Sequence, residues 1–380
     1  MTDSAPSRRI VAADRIVDGT IDWSPGWLEI RHGVIVARGA GLPVGENAER
    51  IQGILLPGFV DLHCHGALSA DFARAPTEDA MTATQHHRAR GTTTLIASVA
   101  TGTPADTLDA VGRLVPLVKR EEIAGIHLEG PFLSSRRRGA HAADLLRPPD
   151  RSEMDALLEE ADGAISVVTL APELPGALGL ITHLVANGVI VAIGHTDCDA
   201  ETASRALDRG ATLMTHLFNG MPPLHHRRPG PVGIGLTDRR AVLELIADGH
   251  HLAEPILRLA LESAAGRAVL VSDAMAATGC ADGPYEIAGS EVTVSGGVAT
   301  LTDGSSLAGS TITILDALHH VLRETRVTIQ EAVRLSSESA ARMLGREARG
   351  FAVGAAADAV LLPQQPDGSA VAVMKRGLWL

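Results

Sequence analysis

Short apolar runs alternate with helical stretches through the middle of the chain. The runs are ILLPGFVDLHC, TTTLIASVAT, IAGIHLEG, AISVVTLAPE, GVIVAIGHTD, ATLMTHLFNG, AVLELIADG and AVLVSDAMA. Between them, EDAMTATQHHRARG, SEMDALLEEADG, DAETASRALDRG and AEPILRLALESAAG read as helices. Each of these four ends in Gly, the residue that most easily takes the left-handed conformation closing a helix. Eight strand candidates alternating with helices predict an α/β fold, a TIM-like (β/α)8 barrel over residues 57–350. An open doubly wound sheet competes, but it more often carries a Gly-rich phosphate turn after its first strand. Here that strand ends in DLHCHG. The ends of the chain differ in pattern. Residues 1–56 and 351–380 hold β-branched runs broken by turn residues, such as WLEIRHGVIVARGAG and DAVLLPQQPDGSAVAVMKRGLWL. They predict one small β-sandwich domain built from both termini. A further alternating segment, GPYEIAGSEVTVSGGVATLTDGSSLAGS, reads as a hairpin around GG. It is either a rim over the barrel mouth or a purely structural hairpin.

Composition narrows the function classes. Aromatic residues are 2% of the chain and the formal net charge is −12, which argues against nucleic-acid binding. Any anionic substrate needs a local pocket of Arg or His. The three cysteines, Cys64, Cys198 and Cys280, are scattered and odd in number. They form no disulfide framework and suit a reducing cytoplasm. No secretory signal and no run of membrane-spanning length is visible, so no membrane partner is expected.

In a (β/α)8 barrel the chemistry sits at the C-terminal ends of the strands. Those ends carry Asp61, His63 and His65 on the first strand, Glu129 on the third, His195 on the fifth, His216 on the sixth and Asp273 on the eighth. Alternate residues of a strand face the same way, so the imidazoles of His63 and His65 can share a target while Cys64 points away. A lone His-x-His is weak evidence. The convergence of carboxylates and imidazoles at one mouth is stronger, because a buried charge must be paired or bind a cation. His127 shares the face of Glu129 but lies deeper, and reads as a buried, hydrogen-bonded histidine. Asp273 has a second reading as a helix N-cap.

The motifs DLHCHG, GIHLEGPF, TLAPE, IGHTD, THLFNGMPP, ADGHH, SDAM and LAGS, in this order, resemble the amidohydrolase superfamily. Within it they are most similar to the family of N-acetylglucosamine-6-phosphate deacetylases. Many two-metal amidohydrolases bridge their ions with a carboxylated lysine on the fourth strand. The only lysines here are Lys119 and Lys375, neither near a barrel mouth, which disfavours the dihydroorotase and hydantoinase type and leaves Glu129 as the carboxylate.

The resemblance implies a metal held by Glu129, His195 and His216, with an open position for water. It implies capacity for a second ion at His63 and His65, hence one or two divalent ions per subunit, Zn2+ or Fe2+ among the candidates. It makes Asp273 the general base and acid, and His141 the group that polarises the acetyl carbonyl. It assigns phosphate to Arg227 and His251, with the adjacent Arg228 an alternative to Arg227. His250 either adds to that site or faces outward. It assigns the sugar to Ala140, Asn219, Gly220 and the Leu307–Ala308–Gly309 turn. The implied substrate is a sugar phosphate, the implied setting is amino-sugar catabolism and cell-wall recycling, and the implied assembly is a homodimer. Two alternatives remain: an amidohydrolase acting on another N-acyl or cyclic amide, and a barrel that binds sugar phosphate without catalysis.

Overall fold

Eight parallel strands, hydrogen-bonded in sequence order, make the central sheet. They are β1 (Phe59–Cys64), β2 (Thr92–Ala100), β3 (Gly125–Glu129), β4 (Ile165–Leu170), β5 (Ile190–Ile193), β6 (Leu213–Met214), β7 (Val242–Leu245) and β8 (Ala268–Leu270). Each falls within one of the eight apolar runs. This computed structural model describes residues 8–44, 47–346, 349–364 and 372–380. β1, β2 and β3 are buried along their whole length. Strands covered on both faces read as continuous apolar runs rather than alternating ones. The segment after β8 completes the barrel. Ala274 pairs with Cys64, and the Asp273 amide donates to His63 O at 2.9 Å.

The helices lie where their pattern placed them, at Thr77–Ala89, Arg151–Ala161, Ala200–Asp208 and Glu254–Ala264. The second starts at Asp150, whose carboxylate accepts from the Ser152 and Glu153 amides. The Gly residues that end the last three of them, Gly163, Gly210 and Gly266, have φ of +82°, +100° and +87°.

The chain divides into two compact units, Met1–Asp61 with His87–Thr94 and Thr313–Leu380, and Leu62–His86 with Leu95–Ile312. In the first unit, both ends of the chain build one sheet. Strand Arg9–Val17 lies between Gly26–Arg31 and Glu49–Pro57, and Glu49–Pro57 pairs in turn with Ala359–Leu362. The sheet folds back on itself, since Ile35 donates to Ala355 O and Ala357 donates to Gly33 O. Val11, Ile16, Leu28, Ile35, Leu55 and Phe351 fill the space enclosed. The first apolar run therefore serves two sheets. Pro57 ends a strand of the terminal sheet, and β1 begins at Phe59. A Cβ on the intervening Gly58 would collide with the Thr93 side chain.

In the second unit, β9 (Gly283–Ile287), β10 (Ser290–Ser295) and β11 (Val298–Leu301) form an antiparallel sheet. Ile287, Val292, Val294 and Leu301 pack with Ala100, Ala140, Met275 and Ala308 in one apolar cluster. The hairpin is thus fastened to the barrel mouth. Among the described residues no helix is long and apolar enough to cross a membrane.

Phe351 is fully buried in the terminal sheet. Phe351→Ala is expected to cost about 3–5 kcal/mol, the usual range for emptying such a site. Urea denaturation reads this as a lowered midpoint, and an unchanged midpoint would show that the ring is not part of a packed core.

Candidate active site

Glu129 ends β3 and is the centre of the cluster at the barrel mouth. His195 Nε2 and His216 Nε2 each lie 3.1 Å from its Oε1, and 3.0 Å from each other. On the other side, His65 Nε2 is 3.1 Å from Glu129 Oε2 and His63 Nε2 is 3.5 Å from Oε1. His63 and His65 point at one another, 3.0 Å apart at Nε2, and both approach Asp273 Oδ1, at 3.4 and 3.3 Å. His141 Nε2 is 3.4 Å from Glu129 Oε2. Thus five histidines and two carboxylates, distant in sequence, meet at the strand ends.

The backbone bends sharply to present them. His195, His216 and Asp273 have φ of +46°, +26° and +48°, the left-handed region that side-chain-bearing residues seldom occupy. Such conformations cost on the order of 1–3 kcal/mol each and persist where the surroundings over-determine them. His195 is held by a hydrogen bond between Nδ1 and Arg137 O, 2.8 Å. Glycines flank its ring. A Cβ on Gly220 would lie 2.9 Å from Nδ1, and one on Gly139 would lie 3.1 Å from Cε1. Arg137 Nε also donates to Asp197 at 2.8 Å, and the Asp197 amide donates to Glu173 at 2.6 Å. Glu173 belongs to the TLAPE run, so that motif holds the turn behind His195. No helix starts directly after Asp273, which removes its reading as an N-cap.

Charge is balanced locally. Burial alone would raise the Glu129 carboxyl, but His63, His141, His195 and His216 hold it well below its ordinary range. Asp273 is likewise pulled down, against its burial, by His63 and His65. Burial disfavours a charged His63, yet Glu129 and Asp273 raise it well above its usual value. His65, opposed by burial and favoured by Asp273 and Glu129, is pushed up to about 9. His141 goes the other way, to about 4, because burial outweighs Glu129.

The donor set suits a divalent cation. Ligand atoms around 2.0–2.1 Å from a tetrahedral zinc lie roughly 3.3–3.4 Å apart. The Glu129–His195–His216 triangle, with edges of 3.0–3.1 Å, is within a few tenths of an ångström of that. Donor atoms of His63, His65 and Asp273 also lie within 4.8 Å of one another, as do those of Glu129, His141 and His195. Lone pairs so directed need protons or cations between them.

The cavity above the cluster is lined by His65, Glu129, His141, His195, His216 and Asp273. Ala140, Asn219, Gly220, His251, Leu307 and Gly309 also line it, as do Ile287 and Ala288 of the hairpin. The hairpin is therefore part of the wall. His251 is fixed by Asp248, at 2.7 Å from Nδ1. Asp248 Oδ1 accepts both the His250 and His251 amides, a turn that brings His251 to the cavity and leaves His250 exposed and outside it. Ala308 is buried against the hairpin instead of lining the cavity. Arg227 and Arg228 are exposed and line a separate depression with Arg137 and His225.

Lys119 pairs with Asp162, and Lys375 with Asp358, so neither joins the cluster. His127 is buried as expected, bonded to Ser98 at 2.9 Å and Thr169 at 2.8 Å. Sequence reasoning missed Glu244 on β7. It is buried, and its Oε2 lies 3.1 Å from His63 Nδ1 and 3.1 Å from the His216 amide. The available signal was a carboxylate between two leucines in the apolar run AVLELIADG.

Residues 54–380 match the amidohydrolase family. An N-acetylgalactosamine-6-phosphate deacetylase of Escherichia coli O157:H7 is 38% identical over 84% of this chain and 86% of its own length. An N-acetylglucosamine-6-phosphate deacetylase of Bacillus subtilis is 35% identical over 93% of this chain and 92% of its own. A solved structure of a mutant N-acetyl-D-glucosamine-6-phosphate deacetylase from Mycobacterium smegmatis, in complex with N-acetyl-D-glucosamine-6-phosphate, superposes with a TM-score of 0.95. It is 39% identical and covers 98% of this chain and 99% of that one.

Because His65 holds its proton to about 9 in the metal-free protein, a cation entering beside it must displace that proton. Zn2+ affinity at the His63–His65–Asp273 group is expected to rise about tenfold per pH unit below 9 for each proton released. Titration calorimetry from pH 6 to 8.5 measures this, and an affinity independent of pH would mean that His65 is neutral throughout.

Proposed function

The chain belongs to the amidohydrolase family, and from that premise we propose that it hydrolyses the N-acetyl group of N-acetyl-D-glucosamine 6-phosphate, giving D-glucosamine 6-phosphate and acetate. The reading includes a role in amino-sugar catabolism. The observation that carries it is the meeting of Asp273, the Glu129–His195–His216 triangle, His141 and His251 around one cavity.

Glu129, His195 and His216 would hold the catalytic ion, Zn2+ by choice of ligands, with His63 and His65 able to hold a second. A divalent cation supplies Lewis acidity and lowers the pKa of a bound water to about 7. Asp273, held anionic by His63 and His65, accepts a proton from the attacking water as its oxygen bonds to the acetyl carbon. It then delivers that proton to the sugar nitrogen as the C–N bond breaks, so that acetate and amine leave without an external acid. His141 is neutral at pH 7, with its pKa near 4, and can donate a hydrogen bond to the carbonyl oxygen as negative charge grows there. His251, with Nδ1 committed to Asp248, offers Nε2 to the phosphate. Asn219, Gly220 and the Leu307–Gly309 turn would hold the sugar ring.

The proposal extends to a cytoplasmic homodimer. Arg227 and Arg228 are exposed beyond this protomer's own cavity, where one of them can serve the phosphate of a second copy's substrate. The C4 epimer, N-acetyl-D-galactosamine 6-phosphate, is the second reading, favoured by the E. coli relative.

Turnover of the two phosphorylated epimers and of unphosphorylated N-acetylglucosamine tests the substrate. The glucosamine phosphate should be fastest, and equal rates with and without phosphate would remove phosphate from the reading. His251→Ala should raise KM for the phosphorylated sugar about 10–100-fold, as expected for losing one charge-assisted hydrogen bond. Asp273→Asn should lower kcat about 10²–10⁴-fold while the Glu129–His195–His216 ion stays bound. Near-normal turnover in that variant would mean that another group moves the proton.

A further inference from the structure

Glu244 is a carboxylate in the middle of a buried strand, and the reaction just described gives it nothing to do. Its neighbours Leu243 and Leu245 are fully buried, and it is itself 1% exposed. An ionised carboxylate there is tolerated only if it is paired or well hydrogen-bonded. Its Oε1 has no hydrogen-bond partner among the described residues. Its Oε2 has two, both leading to the metal-binding histidines. One is His63 Nδ1 at 3.1 Å, and the other is the backbone amide of His216 at 3.1 Å.

Oε2 already accepts from the His216 amide, and as an acceptor toward His63 as well it pairs with a ring that donates from Nδ1. With Nδ1 so committed, Nε2 is the ring nitrogen left for a cation, and it faces His65 at 3.0 Å and Asp273 at 3.4 Å. The second contact acts at the backbone. His216 has φ of +26°, an unfavourable bend that swings its ring onto Glu129. A hydrogen bond from its amide to the buried Glu244 Oε2 holds that bend in place. One oxygen atom therefore restrains a histidine from each of the two ligand groups.

We propose that Glu244 is a positioning residue for the metal centre, setting the tautomer of His63 and the backbone turn of His216 so that both groups are prepared for cations. The proposal rests on the metal-dependent reading above and goes beyond it, because it assigns the readiness of both groups to one residue that touches neither substrate nor ion. Partners of this kind are typically worth 10–100-fold in metal affinity.

The experiment uses full-length protein, stripped with a chelator and titrated with Zn2+ against a competing chelator. It compares the wild type with Glu244→Met, Glu244→Gln and His63→Ala. Wild type should take two equivalents. Glu244→Met, which keeps the volume and removes the acceptor, should weaken the site that His63→Ala abolishes by about 10–100-fold. Glu244→Gln keeps an acceptor oxygen and should recover most of that loss, a rescue that simple repacking would not produce. If the wild type takes one equivalent only, the two-ion reading fails, and the proposal is then read on the remaining ion through His216. A tenfold or greater loss in Glu244→Met supports it, and unchanged affinity overturns it. Unchanged stoichiometry and affinity in Glu244→Met overturns it in either case. Should that variant not fold, nitrogen NMR of His63 in the zinc-loaded wild type decides. A protonated Nδ1 supports the assignment, and a bare Nδ1 overturns it.

Discussion

Glu129 carries one negative charge into a buried position and surrounds it with the side-chain nitrogens of five histidines, all within 3.5 Å. A carboxylate buried alone would give up its charge. Here the imidazoles keep it, and in turn some of them are driven to hold protons that burial would otherwise remove. The cluster is an unstable crowd of lone pairs unless positive charge lies among them. Protons can supply that charge only with each donor and acceptor correctly paired. A divalent cation supplies it to several lone pairs at once, which is why the same residues that make a poor hydrogen-bond network make a good cation site.

The barrel is what allows the crowding. Parallel strands in sequence order bring residues 63, 129, 195 and 216 to one rim although dozens of positions separate them. Beneath the rim, a chain of hydrogen bonds runs from Ser98 through His127 and Thr169 to Thr215. His127 stands edge-on to His63, with ring centroids 4.6 Å apart. Burial, and then His63, depress its pKa far below normal, so it stays uncharged. The charged layer thus rests on a polar but neutral floor, and its charge is confined to the mouth where substrate arrives.

Much of this arrangement was legible in the chain. Continuous apolar runs mark strands buried on both faces, and Gly marks the ends of the helices between them. The histidines and carboxylates stand out because each closes such a run. Other features were hidden for identifiable reasons. Pro57 and Gly58 sit inside one unbroken apolar run, so hydrophobicity alone could not show that it serves two sheets. His250 and His251 are chemically identical, and only the Asp248 turn decides which one faces the cavity. The role of Glu244 was hidden because its partners, a side-chain nitrogen at the end of β1 and a backbone amide just after β6, lie far away in sequence. The hairpin pattern around Gly296 and Gly297 was clear, but its part in the cavity wall depends on Ile287 and Ala288 at the far end.

The left-handed backbone at His195, His216 and Asp273 sets stability against activity at individual codons. At each, glycine would relax the main chain and remove the reactive side chain in the same step. These are positions where relief of backbone strain and loss of the chemistry come together. A screen that rewards folding alone would be drawn toward such changes. Stabilising this barrel without disabling it therefore calls for excluding those three sites from the outset and working instead in the terminal sheet and on the outer helices.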